Sequence, residues 1–331
     1  MKVEREISLI AILTILSWGC LRDAAGPTAR SAFSPPRAAL LASATGPTFT
    51  TIDFPGGFAT LAADINKTGQ IVGRYSGISG LVHGFLLSGT TFTSITVPPG
   101  ALWTRAIAIN DGGDIVGDYS LTDARGDKNV HGFLLRGGTF LSFDFPGAAG
   151  TVAEGIDAND DIVGFYTDNV GNNTGTGANN RHGFLLRSGA FTAIDFPGAG
   201  STEAWRINSN GEVLGRYLST TDSKWHLYRL RSGSFTAIAD FPGATQTAPD
   251  GYSHVGGLNT QGDITSDYCS STPCQKVDAG VHGFLLSAST YTTVDPPGAM
   301  GSLAFGINDD GDIVGGYIDA NGGIHGYLRT P

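Results

Sequence analysis

Apolar and polar positions along this chain recur in a fixed order. The last full copy opens at Tyr291 and reads YTTVDPPGA, then FGINDDGDIVGGY, then HGYL. Six histidines, His83, His131, His182, His226, His282 and His325, mark equivalent points 43 to 56 residues apart. Self-similarity at such a period is the signature of solenoids, propellers and arrays.

Four short apolar segments make up each copy. The first ends in Ile-Asn or a close variant: Ile65-Asn66, Ile109-Asn110, Ile156-Asp157, Ile207-Asn208, Leu258-Asn259 and Ile307-Asn308. A turn of Asn, Asp and Gly follows, as a hairpin with positive φ requires. The second segment is of the Ile-Val-Gly-x-Tyr type and closes at Tyr75, Tyr119, Tyr166, Tyr217, Tyr268 and Tyr317. The third opens at the histidine, and the fourth reads FTxIDFPGA or a relative.

Consecutive apolar residues such as Ile115-Val116 and Phe133-Leu134-Leu135 send side chains to both faces of a sheet. Such a sheet needs a neighbour on each side, which blades packed around an axis supply. The pattern predicts an all-β fold, a six-bladed β-propeller of four-stranded blades. The last copy stops at Tyr327-Leu328 after its third strand, while an unpaired fourth-strand segment, FTTIDFPGG, begins at Phe49. The N-terminal strand, about residues 49–54, is therefore expected to complete the last blade and cover its edge. A linear β-solenoid, the alternative, leaves the complementarity of these pieces unexplained.

Composition narrows the partners. Charged residues are 15 % of the 331-residue chain, against roughly 25 % in an average globular protein. A net charge of −10 argues against nucleic acid, which needs clustered Lys and Arg, and against an anionic membrane surface. At the N-terminus, Lys2 and Arg5 precede an apolar run over residues 7–18. That run is too short to span a bilayer and fits an export signal. Ser17 and Gly19 place small residues before Cys20, and LSWGC resembles a lipobox in which Ser17 and Trp18 depart from the usual pattern. The expected layout is a signal peptide over 1–19, a disordered Ala-, Ser- and Pro-rich tether over 20–47, and the propeller over 48–331. Cleavage before Cys20 leads to secretion, or to a lipid anchor on Cys20. Cys269 and Cys274 flank the loop CSSTPC and either pair in an oxidising compartment or remain thiols.

The residues that look chemical have simpler readings. Equivalent histidines in a six-fold ring stand on the order of 15 Å apart, since the third strand lies two strand spacings outside the innermost one. Zinc ligands must gather near 2 Å from one ion, so each histidine is expected to bond a neighbouring loop carbonyl instead. The turn acids Asp309, Asp310 and Asp312 are absent from the first copy, Asn66-Lys67-Thr68-Gly69-Gln70. Asn and Gly recur while the acids do not, which is the demand of a turn and not of calcium. Asp53, Asp144, Asp195, Asp240 and Asp295 fall on outer strands, where they are expected to anchor turns or discourage edge pairing. Of the innermost segments, only Asp64, Glu154 and Arg206 carry charge near the axis. No nucleophile elbow, metalloprotease helix or phosphate loop occurs. No catalytic residue, metal site or cofactor is assigned.

The connections between second and third strands vary most in length. They share a face with the Pro-Gly-Ala segments, and scaffolded loops are where function concentrates. Trp103, Trp225, Asn172, Asn173, Asn179 and Arg181 are the candidate ligand-facing residues there. Trp205 lies nearby and is equally suited to packing.

The linked motifs GINDxGxIVGxY, HGFLL and FTxIDFPGA resemble the bacterial extracellular repeats called the HAF family, over roughly residues 49–328. This chain has His-Gly-Phe where the family name has His-Ala-Phe, and the fourth copy reads His226-Leu227-Tyr228. The resemblance implies a secreted or surface location in bacteria and brings no activity or catalytic residue with it. The expected function is a monomeric, non-enzymatic binding scaffold for a polysaccharide or protein, without nucleic acid and without membrane insertion beyond a lipid anchor. The alternatives are a propeller hydrolase or lyase acting on carbohydrate or lactone, and a purely structural envelope component.

Overall fold

The structure, a computed structural model, describes residues 46–122, 129–168, 181–249, 256–271 and 280–331. Cys20, Asn172, Asn173, Asn179 and Cys274 lie outside the described residues. The described residues form strands and turns without a helix, arranged as four-stranded antiparallel units in series.

From inner to outer, blade 1 comprises Ala59–Ile65, Ile71–Ser76, Val82–Ser88 and Thr91–Ile95. Blade 2 comprises Trp103–Ile109, Ile115–Ser120, His131–Arg136 and Thr139–Phe143. Blade 3 comprises Gly150–Ile156, Ile162–Thr167, Arg181–Arg187 and Ala190–Ile194. Blade 4 comprises Ser201–Ile207, Val213–Leu218, Trp225–Arg231 and Ser234–Ala237. In blade 5 the inner strand is interrupted, with Gln246–Thr247 and Gly257–Leu258 both pairing with Ile264–Cys269; Val281–Ser287 and Thr290–Val294 follow. Blade 6 comprises Gly301–Ile307, Ile313–Ile318 and Ile324–Thr330, and its outer strand is Thr48–Ile52 from the chain's start.

That last pairing is antiparallel, from Thr48 opposite Thr330 to Ile52 opposite Gly326. Ile52 is buried, and Phe49 lies 5.7 Å from the Tyr327 ring. Inner strands of successive blades touch around the whole circle, including blade 6 against blade 1. The N-terminal strand thus completes the last blade, as the repeat order predicts.

The Ile-Val-Gly motif has a packing cause. A Cβ on Gly73, Gly117, Gly164, Gly215 or Gly315 would stand 1.9 to 2.1 Å from an inner-strand carbonyl. The same space is filled from the third strand by Phe85, Phe133, Phe184, Tyr228 and Tyr327, each fully buried.

The asparagine ending each inner strand works at both ends of its amide. Oδ1 accepts the N–H groups two and four residues on, as Asn110 does from Gly112 and Asp114 and Asn308 from Asp310 and Asp312. This fixes the turn, whose glycine sits at φ +73 to +88° in blades 1, 2, 4, 5 and 6. Nδ2 donates to the backbone carbonyl of the equivalent residue in the next blade. Asn66 reaches Asn110 (3.1 Å), Asn110 reaches Asp157 (3.2 Å), and Asn208 reaches Asn259 (2.9 Å). Asn259 reaches Asn308 and Asn308 reaches Asn66, both at 3.4 Å. Blade 3 departs twice: Asp160 takes the turn glycine's place at φ 67°, and Asp157 accepts from Asn159 and Asp161 but has no amide to donate.

Two measurements check this closure. Deletion of residues 49–54 should sharply lower the thermal midpoint, and an unchanged midpoint would remove the N-terminal strand from the closed blade. Asp157→Asn should supply the missing link to blade 4 and raise the midpoint by about 1 to 3 °C, from a hydrogen bond of roughly 0.5–1.5 kcal/mol; a drop in stability would show that the ring does not extend across that seam.

Candidate functional site

On the side of the second-to-third connections, each blade carries the same tyrosine–histidine pair. The second-strand tyrosine lies 5.2 to 5.6 Å from the third-strand histidine ring. In four blades the Phe of the Phe-Pro-Gly connection stacks on that tyrosine at 3.5 to 3.8 Å: Phe54 on Tyr75, Phe145 on Tyr166, Phe196 on Tyr217 and Phe241 on Tyr268. Histidine Nδ1 bonds the outer-strand carboxylate, in the pairs His131–Asp144, His182–Asp195, His226–Asp240, His282–Asp295 and His325–Asp53, at 2.8 to 3.2 Å. In blade 1, Thr96 takes the carboxylate's place, and burial lowers the pKa of His83. The loop-carbonyl partner expected for these histidines is therefore replaced by a carboxylate, because histidine and aspartate stand side by side on adjacent strands. The pair ties the outer strand to the third, which explains the outer-strand aspartates as well.

Near the axis the structure is far more charged than the inner segments suggest. Strand pairing adds Arg105 and Glu203, and the second strands add Arg74, Asp118, Arg216 and Asp267. Arg105 forms a two-pronged pair with the fully buried Asp118 and lies over the Trp103 ring at 4.9 Å. Glu203 is met by Arg216 Nε at 2.8 Å, Arg181 Nη1 at 2.5 Å and Trp205 Nε1 at 2.9 Å. The Arg216 guanidinium sits between Trp225 (4.1 Å) and Trp205 (5.0 Å) and donates to the Ala248 and Pro249 carbonyls. Arg206 crosses the axis, bonding the Glu154 carbonyl of blade 3 and the Ala63 carbonyl of blade 1 (3.1 Å). It closes off a small axial recess of about 80 Å³ at the asparagine ring, with Asp64 among its walls.

These contacts sort the candidate ligand-facing residues. Trp225 is 2 % exposed, so its ring serves Arg216 and is not offered to a ligand. Its polar partner comes from another strand, which is why the sequence position alone misplaces it. Trp103 is partly exposed on the variable-loop side. Arg181 is partly exposed, but it holds Glu203 and lies 5.0 Å from the Phe165 ring. Cys269 is fully buried at the end of its strand, and the Cys269–Cys274 pairing lies outside the described residues.

Among the described residues, a feature missed from sequence marks one sector of this face. The residue before each inner strand bonds the last carbonyl of the second strand; these residues are Phe58, Leu102, Ala149, Gly200, Thr245 and Met300. The large apolar ones belong to blades 1, 2 and 6 and are exposed, Phe58 at 65 %. Ile78 (86 % exposed) and Leu81 on the blade 1 loop and Leu121 on the blade 2 loop extend the same sector. Exposed large apolar side chains concentrated in this way mark interaction surfaces. Alignment of the repeats at this position was the available signal.

Comparisons with known proteins agree on the architecture. No family model and no curated protein matches the chain. Among solved structures, the Aleuria aurantia lectin, determined with Fucα1-6GlcNAc, aligns at 13 % identity over 82 % of this chain and 91 % of its own, with a TM-score of 0.51. A putative TolB from Agrobacterium tumefaciens aligns at 13 % identity over 82 % and 90 %, with a TM-score of 0.50. The Hadza microbial sialidase Hz136 aligns at 8 % identity over 83 % of this chain and 66 % of its own, with a TM-score of 0.52. The class of molecule is a β-propeller, and at these identities the likeness extends to the fold alone.

The buried charges set a pH signature. Burial raises the pKa of Asp64, Glu154 and Asp267, against the pull of Arg206 on the first two. Burial would raise Glu203 too, but Arg216 and Arg181 hold it down to about 2. The first three destabilise the fold when ionised and are relieved as pH falls. Glu203 stabilises above its ordinary value near 4.5 and loses that contribution as pH falls towards 2. The thermal midpoint should climb from pH 7 to about 4.5 and fall below it; a steady decline from neutrality would contradict this balance.

Proposed function

We propose that this chain is an exported, non-enzymatic propeller of the HAF type that binds a protein partner through its variable-loop face. The observation carrying the reading is the exposed apolar sector of blades 6, 1 and 2 on that face. The polar groups on that side of the molecule support it: the histidines, the outer-strand aspartates and most axial charges are engaged in holding strands together. A scaffold role also fits the propeller neighbours, which include a lectin and a TolB-like protein. Polysaccharide binding is the second reading, favoured by the partly exposed Trp103 and by a lectin among the neighbours. Secretion or a Cys20 lipid anchor, and a Cys269–Cys274 disulfide, belong to the same proposal.

Saturable binding of the purified chain to envelopes of the producing cells tests it. Phe58→Ser with Ile78→Asp should weaken binding by about tenfold or more, as loss of interface anchors does, while the thermal midpoint stays within a few degrees. Protease treatment of the envelopes should abolish binding and periodate treatment should not. Unchanged binding by the double variant would overturn the assignment of this face.

A further inference from the structure

The molecule contains its own controls at the variable position of Ile-Val-Gly-x-Tyr. The equivalent side chains are Arg74, Asp118, Phe165, Arg216, Asp267 and Gly316. Asp118 is answered by Arg105 and Arg216 by Glu203, each its neighbour directly across the strand pair. Asp267 accepts the Ala304 N–H of blade 6 at 3.0 Å. Phe165 carries the Arg181 guanidinium over its ring, and the space beside Gly316 is taken by Leu61.

Arg74 breaks the pattern. Its cross-strand neighbour is Leu61, apolar where blades 2 and 4 place Arg105 and Glu203. Among the described residues no hydrogen bond or ion pair ends on its guanidinium, and the side chain is partly exposed. Burial, then the neighbouring Arg105, push its pKa down to about 10, so it remains a cation at neutral pH. Two acids act on it. Asp118 is committed to Arg105, and burial pushes Glu154 well up towards its neutral form.

Location adds a second observation. Val72, on the same face of the strand as Arg74, packs with Ala106, Ile109 and Ile115, so this face abuts blade 2. Two residues beyond Arg74, the Ser76 carbonyl holds Phe58 N at 2.9 Å, and the Ile78–Leu81 loop begins there. A guanidinium with no hydrogen bond or ion pair among the described residues thus lies at the blade 1–blade 2 seam, two residues from the carbonyl that holds Phe58. A planar guanidinium binds a carboxylate in bidentate fashion, more strongly where water is sparse.

We propose that Arg74 receives an Asp or Glu side chain of a protein partner, inserted at this seam beside the loop that carries the exposed Ile78 and Leu81. The inference rests on binding through the variable-loop face. Of the exposed apolar side chains of this sector near the seam, Ile78, Leu81, Leu102 and Leu121 are aliphatic and Phe58 alone is aromatic, a mainly aliphatic surface that suits a peptide better than a sugar ring, so the carboxylate is assigned to protein and not to an acidic polysaccharide.

The test titrates the intact chain with Ac-Leu-Glu-Phe-NH2, Ac-Leu-Gln-Phe-NH2 and digalacturonate. The Glu peptide should bind with a Kd near or below about 1 mM, and roughly tenfold more tightly than the Gln peptide. Arg74→Met should erase that preference, and Arg74→Lys should keep part of it. The thermal midpoint of Arg74→Met should not fall, because replacing an unpaired, largely desolvated charge by an apolar side chain of similar size is neutral or stabilising. Absent binding of the Glu peptide, a Glu preference surviving in Arg74→Met, a clear loss of stability in that variant, or Arg74-dependent binding of digalacturonate alone would each overturn the assignment. If Phe58→Ser with Ile78→Asp abolishes envelope binding while the Glu preference is missing, only Arg74 loses its role.

Discussion

One short amide joins the hairpin to the ring. Asparagine at the end of an inner strand caps its own turn with Oδ1 and holds the next blade's carbonyl with Nδ2. Local turn geometry and closure therefore depend on the same side chain, and a carboxylate in its place keeps the acceptor of the turn but loses the donor to the next blade. Asp157 shows the consequence: its turn is intact, yet it has no donor for the neighbouring blade. The strand at the chain's start completes the circle from outside, so the ring is closed at its axis by side chains and at its rim by backbone pairing.

Repetition turns apparent chemistry into structure. Six histidines at one repeat position look like metal ligands until their Nδ1 partners are seen, five carboxylates and one threonine hydroxyl on the adjacent outer strand. A tyrosine ring lies beside the histidine in every blade, and in four of them a phenylalanine stacks on that tyrosine. A feature shared by every blade is explained by what every blade must do, which is stay in place. Functional candidates then lie where one blade departs from the others, as at Phe58, Leu102 and Met300 before the inner strands and at Arg74 on the second strand of blade 1.

The two kinds of departure were not equally legible. Large apolar residues at one repeat position stand out once the copies are aligned, since no structure is needed to compare Phe58 with Gly200. Trp225 could not be placed this way. Its burial follows from Arg216, which is drawn in by Glu203 on the strand beside it and by carbonyls of blade 5. The charge around the axis is legible only from register, which sets Arg105 opposite Asp118 across two successive strands.

By itself the sequence determined the period, the four strands of each blade, the turn asparagines and the missing outer strand supplied by the N-terminus. These follow from short-range rules: alternation along a strand, positive φ at turns, and the count of unpaired segments. Tertiary structure alone decided which charged groups are answered. Charge pairing depends on register across strands and seams between blades, and a polar side chain's role is set by partners that arrive from elsewhere in the chain. Arg74 and Arg216 occupy the same place in the repeat; only the ring shows that one is enclosed by Glu203, Trp205 and Trp225 while the other faces Leu61.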